Sequence, residues 1–165
     1  MHFYIDLALR DSGYAIFENK QLINFGSIKY KEKFDIENYE NLISHYKFLR
    51  VELEKIFLGY NIKKVVTEAD TFGVRKGGYK TKELLTLVRA NFIHAIYSID
   101  KTIEVRFIRA YEWKSKLLGS SKLEKSDYED LSKNIIAERY SKHVSNHNVR
   151  DAILIGYYLE NIANY

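Results

Sequence analysis

Three carboxylates fall where apolar strands and an amphipathic helix leave no place for charge, and any fold of this chain has to bring them together. Asp6 interrupts the run His2-Phe3-Tyr4-Ile5-Asp6-Leu7-Ala8-Leu9, Glu68 closes Val65-Val66-Thr67, and Asp151 sits on the apolar face of the last amphipathic segment. A lone buried carboxylate costs several kcal/mol unless something pairs with it, so three of them require a shared cation. Hard oxygen ligands in a chain without cysteine point to Mg²⁺, with Mn²⁺ as a substitute. Taken singly, each acid also has an ordinary reading. Asp6 could cap a turn, Glu68 could be an exposed acid past a strand end, and Asp151 could be a helix N-terminal acid held by the macrodipole, worth about 0.3–1 kcal/mol.

The chain has 165 residues, enough for one core and little more, so residues 1–165 are read as a single domain. No apolar run is long enough to span a bilayer and no leader or lipidation motif stands out, which predicts a soluble protein of the cytoplasm of a bacterium or a phage-infected cell, with no membrane partner. A net charge of +4 suits a phosphate-rich partner without requiring one. Proline is absent, so no stiff linker divides the chain.

Hydrophobic periodicity orders the elements. Strands are predicted over 2–8, 12–17 and 22–28 as an antiparallel meander, then a helix over 36–57 stopped by Gly59, and a parallel strand over 62–68. A loop over 69–80, a helix over 81–97, an edge strand over 103–109 and a helical remainder from 111 to 162 complete the chain. This order is that of an RNase H-like α/β fold: a five-stranded mixed sheet, three antiparallel strands and then parallel ones, flanked by helices.

These residues resemble the RuvC-type Holliday-junction resolvases, with phage-type members among them. The opening motif of that family is similar to Ile5-Asp6-Leu7-Ala8-Leu9-Arg10-Asp11-Ser12-Gly13-Tyr14-Ala15-Ile16, although Leu7-Ala8 stand where a Pro-Gly turn is usual. The second resembles Val65-Val66-Thr67-Glu68-Ala69-Asp70-Thr71-Phe72. The lysine pair resembles Trp113-Lys114-Ser115-Lys116 and Glu124-Lys125-Ser126, and the last motif Asn148-Val149-Arg150-Asp151-Ala152-Ile153. The resemblance implies a metal-dependent endonuclease acting on four-way junctions as a homodimer, with Lys114 and Lys125 near the scissile phosphate and Phe72 against opened bases.

In the family a fourth acid or a histidine usually precedes the last Asp by three residues, and Asn148 stands there instead. Its amide oxygen can ligate a cation, which places it beside Asp6, Glu68 and Asp151 in the expected metal set. His147, four residues before Asp151, shares its helix face and is a candidate ligand or proton donor. Two dications about 3.5–4 Å apart, held by shared carboxylates, activate water, neutralise the phosphate and help the departing oxygen. The loop Thr71-Phe72-Gly73-Val74-Arg75-Lys76-Gly77-Gly78-Tyr79-Lys80 lacks the Gly-Lys-Ser/Thr of a nucleotide cradle. It reads as a DNA-contacting loop with Arg75, Lys76 and Lys80 at the backbone. The broad apolar arc Leu84, Leu85, Leu87, Val88, Phe92, Ile93 and Ile96 predicts a second buried face on its helix. A nuclease acting on RNA–DNA hybrid and a junction-binding protein that does not cut stay open as alternatives.

Overall fold

The structure is a computed structural model that describes residues 1–33, 35, 37–69, 78–120 and 122–163, residues 78–80 by their backbone alone. Strands β1 (His2–Asp6), β2 (Asp11–Glu18) and β3 (Gln21–Lys29) form the antiparallel meander. The β2–β3 turn is made by Asn19 and Lys20, both at positive φ, the geometry that matches the twist of a two-residue hairpin. Helix α1 (Tyr39–Leu58) leads to β4 (Lys64–Glu68), and α2 (Gly78–Ile99) leads to β5 (Glu104–Ile108). Both β4 and β5 are parallel additions, and the sheet order is β3-β2-β1-β4-β5. Helices α3 (Ala110–Leu118), α4 (Lys125–Tyr140) and α5 (His147–Asn161) follow. The five-stranded mixed sheet flanked by helices is the one the periodicity predicts.

Side-chain alternation divides the core between two layers. Phe3, Ile5, Ile16 and Val65 meet Leu49 and Leu53 of α1 and Phe92, Ala95 and Ile96 of α2. Tyr4, Ala15, Phe17 and Val66 meet Trp113 of α3, Ile136 of α4 and Val149, Ala152 and Ile153 of α5.

The observed bounds differ from the predicted ones for local reasons. β1 ends at Asp6 because the Ser12 hydroxyl accepts from the Ala8 amide (3.1 Å) and donates to the Ala8 carbonyl (3.2 Å), turning the chain. α1 starts at Tyr39 because the Asn38 side chain caps it, accepting from the Asn41 amide. α2 starts at Gly78, three residues before the predicted start. The helical C-terminal stretch divides into three helices: Gly119 (φ 77°) stands past the end of α3 and Ser141 (φ 53°) past the end of α4, both left-handed. α5 lies on the sheet face over β1, β2 and β3. Among the described residues no helix is long and apolar enough to cross a membrane.

Candidate active site

Asp6 and Glu68 end two neighbouring parallel strands. β1 and β4 run in register from His2 opposite Lys64 to Ile5 opposite Thr67, so the next residue of each strand is an acid. Alternation puts both on the face of Tyr4 and Val66, beneath α5. Asp151 comes from that helix. It is the fifth residue of α5, one step beyond the first turn, which leaves the macrodipole reading without support.

How α5 reaches the sheet is set by Gly13 on β2. A Cβ there would lie 2.1 Å from the Asn148 carbonyl carbon and the Val149 nitrogen, so only glycine lets the helix backbone approach this closely. The Asn146 side-chain oxygen caps α5, accepting from the amides of Asn148 (2.9 Å) and Val149 (3.3 Å). Arg150, 2% exposed, donates to the carbonyls of Val144 (3.0 Å) and Ser145 (2.6 Å) and so fixes the approach to the helix.

Electrostatics bind the three acids into one group. Burial pushes the Asp6 carboxyl well above the usual carboxylate range, repulsion from Asp151 and then Glu68 pushes it further, and Lys114 opposes the rise. Burial also raises Asp151, against Lys114, a hydrogen bond from Tyr128, His147 and Arg150. The Lys114 ammonium lies 3.7 Å from Asp151 Oδ2. The Trp113 indole N–H donates to Glu68 Oε1 (2.7 Å), and the Tyr128 hydroxyl donates to Asp151 Oδ1. Burial and the neighbouring Asp151 push the Tyr128 phenol upward, which keeps it a donor.

Among the described residues no three acidic or histidine side chains stand close enough to form a ready coordination shell. The donor set nevertheless suits a hard dication. Three carboxyls meet the Lys114 ammonium in a buried setting, where a dication beside them would favour their ionised form, and oxygen donors are what Mg²⁺ takes.

The remaining predicted residues fall in different places. Asn148 is buried, and its side-chain nitrogen donates to the Asp11 carbonyl, tying the start of α5 to β2. His147 is exposed, and its charge acts on Asp151. Lys114, expected near the scissile phosphate, stands inside the carboxylate group itself. Lys125 is exposed at the first position of α4, where its charge acts on Glu129. Phe72, Arg75 and Lys76 lie outside the described residues, as does the side chain of Lys80.

Sequence reasoning missed Tyr128, and it noted Trp113 only as an aromatic among lysines. The one signal for Trp113 is its place directly before Lys114; Tyr128 has none, since it sits in the polar stretch Lys125-Ser126-Asp127-Tyr128-Glu129-Asp130. A cleft of about 390 Å³ lined by His2, Tyr4, Lys64, Arg106 and Glu160 takes no part in this arrangement.

Comparison with solved structures shows a RuvC-like fold. Thermus thermophilus RuvC aligns over 96% of this chain and 94% of its own, with a TM-score of 0.63 and 14% identity. RuvC of the same organism in complex with a Holliday junction substrate aligns over the same shares, with a TM-score of 0.66 and 12% identity. The yeast mitochondrial Holliday junction resolvase Ydc2 aligns over 94% of this chain and 77% of its own, with a TM-score of 0.54 and 12% identity. No protein-family profile and no curated protein sequence matches the chain.

Proposed function

We propose that the protein is a Mg²⁺-dependent endonuclease that resolves Holliday junctions or related branched DNA by paired phosphodiester hydrolysis. The observation that carries this reading is the meeting of Asp6 and Glu68, from adjacent strand ends, with Asp151 of α5 and the Lys114 ammonium. The fold adds support, since it is shared with a RuvC solved in complex with a Holliday junction substrate.

Asp6, Glu68 and Asp151 would hold the metal, with the Asn148 amide oxygen as the neutral fourth donor. When bound, the metal supplies an activated water and offsets charge on the phosphate. The protein's own groups do the rest. Asp6, on the central strand, fixes the position of the reacting centre; Lys114 meets the negative charge that builds on the phosphate oxygens. His147, exposed and acting electrostatically on Asp151, would deliver a proton to the departing oxygen. Lys125, Arg75, Lys76 and Lys80 contact the DNA backbone, and Phe72 the opened bases. A two-fold homodimer presents two such sites to the two symmetry-related strands of a junction.

One observation favours a second reading, a junction-binding protein that does not cut: Asn148 brings no charge, and its amide nitrogen is committed to Asp11. The test is incubation of a labelled four-way junction, beside linear duplex and RNA–DNA hybrid, with Mg²⁺, Mn²⁺ or EDTA. Symmetric metal-dependent nicks in the junction, lost in Asp6→Asn, are expected. Tight junction binding without nicks selects the second reading, and cleavage of hybrid alone makes the protein a nuclease of another substrate.

A further inference from the structure

Two aromatic side chains share one arrangement around the carboxylates. Trp113, fully buried on α3, gives its N–H to Glu68, and Tyr128 of α4 gives its O–H to Asp151. The Lys114 ammonium lies 4.9 Å from the ring centre of each, close enough for a cation–π contact with both. The polar edges of the two rings therefore hold the two outer acids while their faces hold the one lysine. A lysine on a flexible four-carbon stem has many rotamers, and two ring faces and a carboxylate oxygen at 3.7 Å leave it few.

We infer that Trp113 and Tyr128 are positioning residues that form an aromatic clamp, setting the Lys114 ammonium and the Glu68 and Asp151 carboxylates in one geometry for metal and phosphate. This rests on the nuclease reading above and adds to it the groups that orient its charged side chains. Hydrogen-bond partners of metal ligands commonly change metal affinity or activity 10–100-fold when removed, and the clamp joins two of them to the cation.

Trp113 is the single tryptophan of the chain, so its emission reports on the site without DNA or turnover. Titrating the full chain with Mg²⁺ alone is expected to give a saturable change in that emission. In Tyr128→Phe, which keeps the ring and loses the hydroxyl, the midpoint is expected to move to about 10-fold higher Mg²⁺. Tyr128→Leu loses the ring face as well. Its junction nicking at saturating Mg²⁺ is expected to fall to the level of Lys114→Met, with no further loss in the double variant.

An unchanged midpoint in Tyr128→Phe, no emission change at saturation, or independent and multiplying losses in Tyr128→Leu and Lys114→Met overturns the clamp. The failures are separable. Nicking by the wild type with an unshifted midpoint removes the clamp and keeps the nuclease; a shifted midpoint in a wild type that never nicks keeps the clamp and removes the nuclease. Thermal melting of each variant guards against misfolding, and the midpoint in Tyr128→Phe decides between these outcomes if Tyr128→Leu does not fold.

Discussion

His45 gives the stability of this protein a dependence on pH that a single substitution can isolate. It is 2% exposed between α1 and α2, 3.1 Å from Asn91 Nδ2 and edge-on to the Tyr30 ring, with 4.7 Å between ring centres. Burial lowers its pKa from the ordinary 6.5 to about 4. Above 6.5 the ring is neutral whether the chain is folded or not, and its packing contributes in full. Below 6.5 the unfolded chain takes up a proton that the folded one refuses, so stability falls as pH drops toward 4. The melting temperature of the wild type is therefore expected to fall between about pH 7 and about pH 4.5 more steeply than that of His45→Gln; equal slopes would count against the assignment.

At this same scale the sequence was most legible where a charge broke a strict alternation. Asp6 and Glu68 stand out because strand periodicity places them beside Tyr4 and Val66, under a helix. Tyr128 was invisible, because a phenol in a polar helix has no pattern that ties it to an acid 23 residues away. Lys114 was legible as a basic residue with a job, but its partner was not, since the turn that carries α3 back over β4 is a property of the assembled sheet.

Two glycines at the contact of α5 with the sheet give the element scale its prediction. At Gly13 an added methyl meets helix backbone at 2.1 Å, and backbone on that fixed face cannot step aside. At Gly156 it meets the Phe17 ring at 2.3 Å, a side chain with torsions of its own. Gly13→Ala is expected to destabilise by about 3 kcal/mol and Gly156→Ala by about 1–2 kcal/mol in urea unfolding. Since Gly13→Ala displaces the start of α5, it is also expected to weaken the Mg²⁺ response of Trp113. The reverse order of the two losses would mean that the helix can lift off β2 more easily than the phenyl ring can turn. Element types followed from periodicity; their ends did not, because caps such as Asn38 and the left-handed Ser141 are decided by single residues and not by pattern.

On the scale of the whole molecule, α2 is the helix expected to join two subunits. Val88, Phe92, Ala95 and Ile96 are buried against the sheet and α1, while Leu84, Leu85, Leu87 and Ile93 are half-buried and Tyr97 is 45% exposed. Leu84 and Leu87 pack against Val88 and Tyr30 within the chain, and we propose that the half-covered Leu85 and Ile93 with Tyr97 belong to the homodimer contact. Sedimentation equilibrium is expected to give twice the chain mass of 19.5 kDa, and Leu85→Glu to return it to one chain. A wild type that sediments at 19.5 kDa would remove the dimer and leave each site to act alone.

The sheet order puts β1 in the middle, paired with β2 on one side and β4 on the other. A strand bonded along both edges and covered on both faces releases its amide protons only when the entire domain opens, whereas a helix resting on one face can loosen by itself. Asp6 thus stands on ground that scarcely breathes, and Asp151 on a helix held to that ground by the close backbone contact at Gly13. Any opening of the domain is expected to begin in helices that touch the sheet on one face only, before the sheet itself parts.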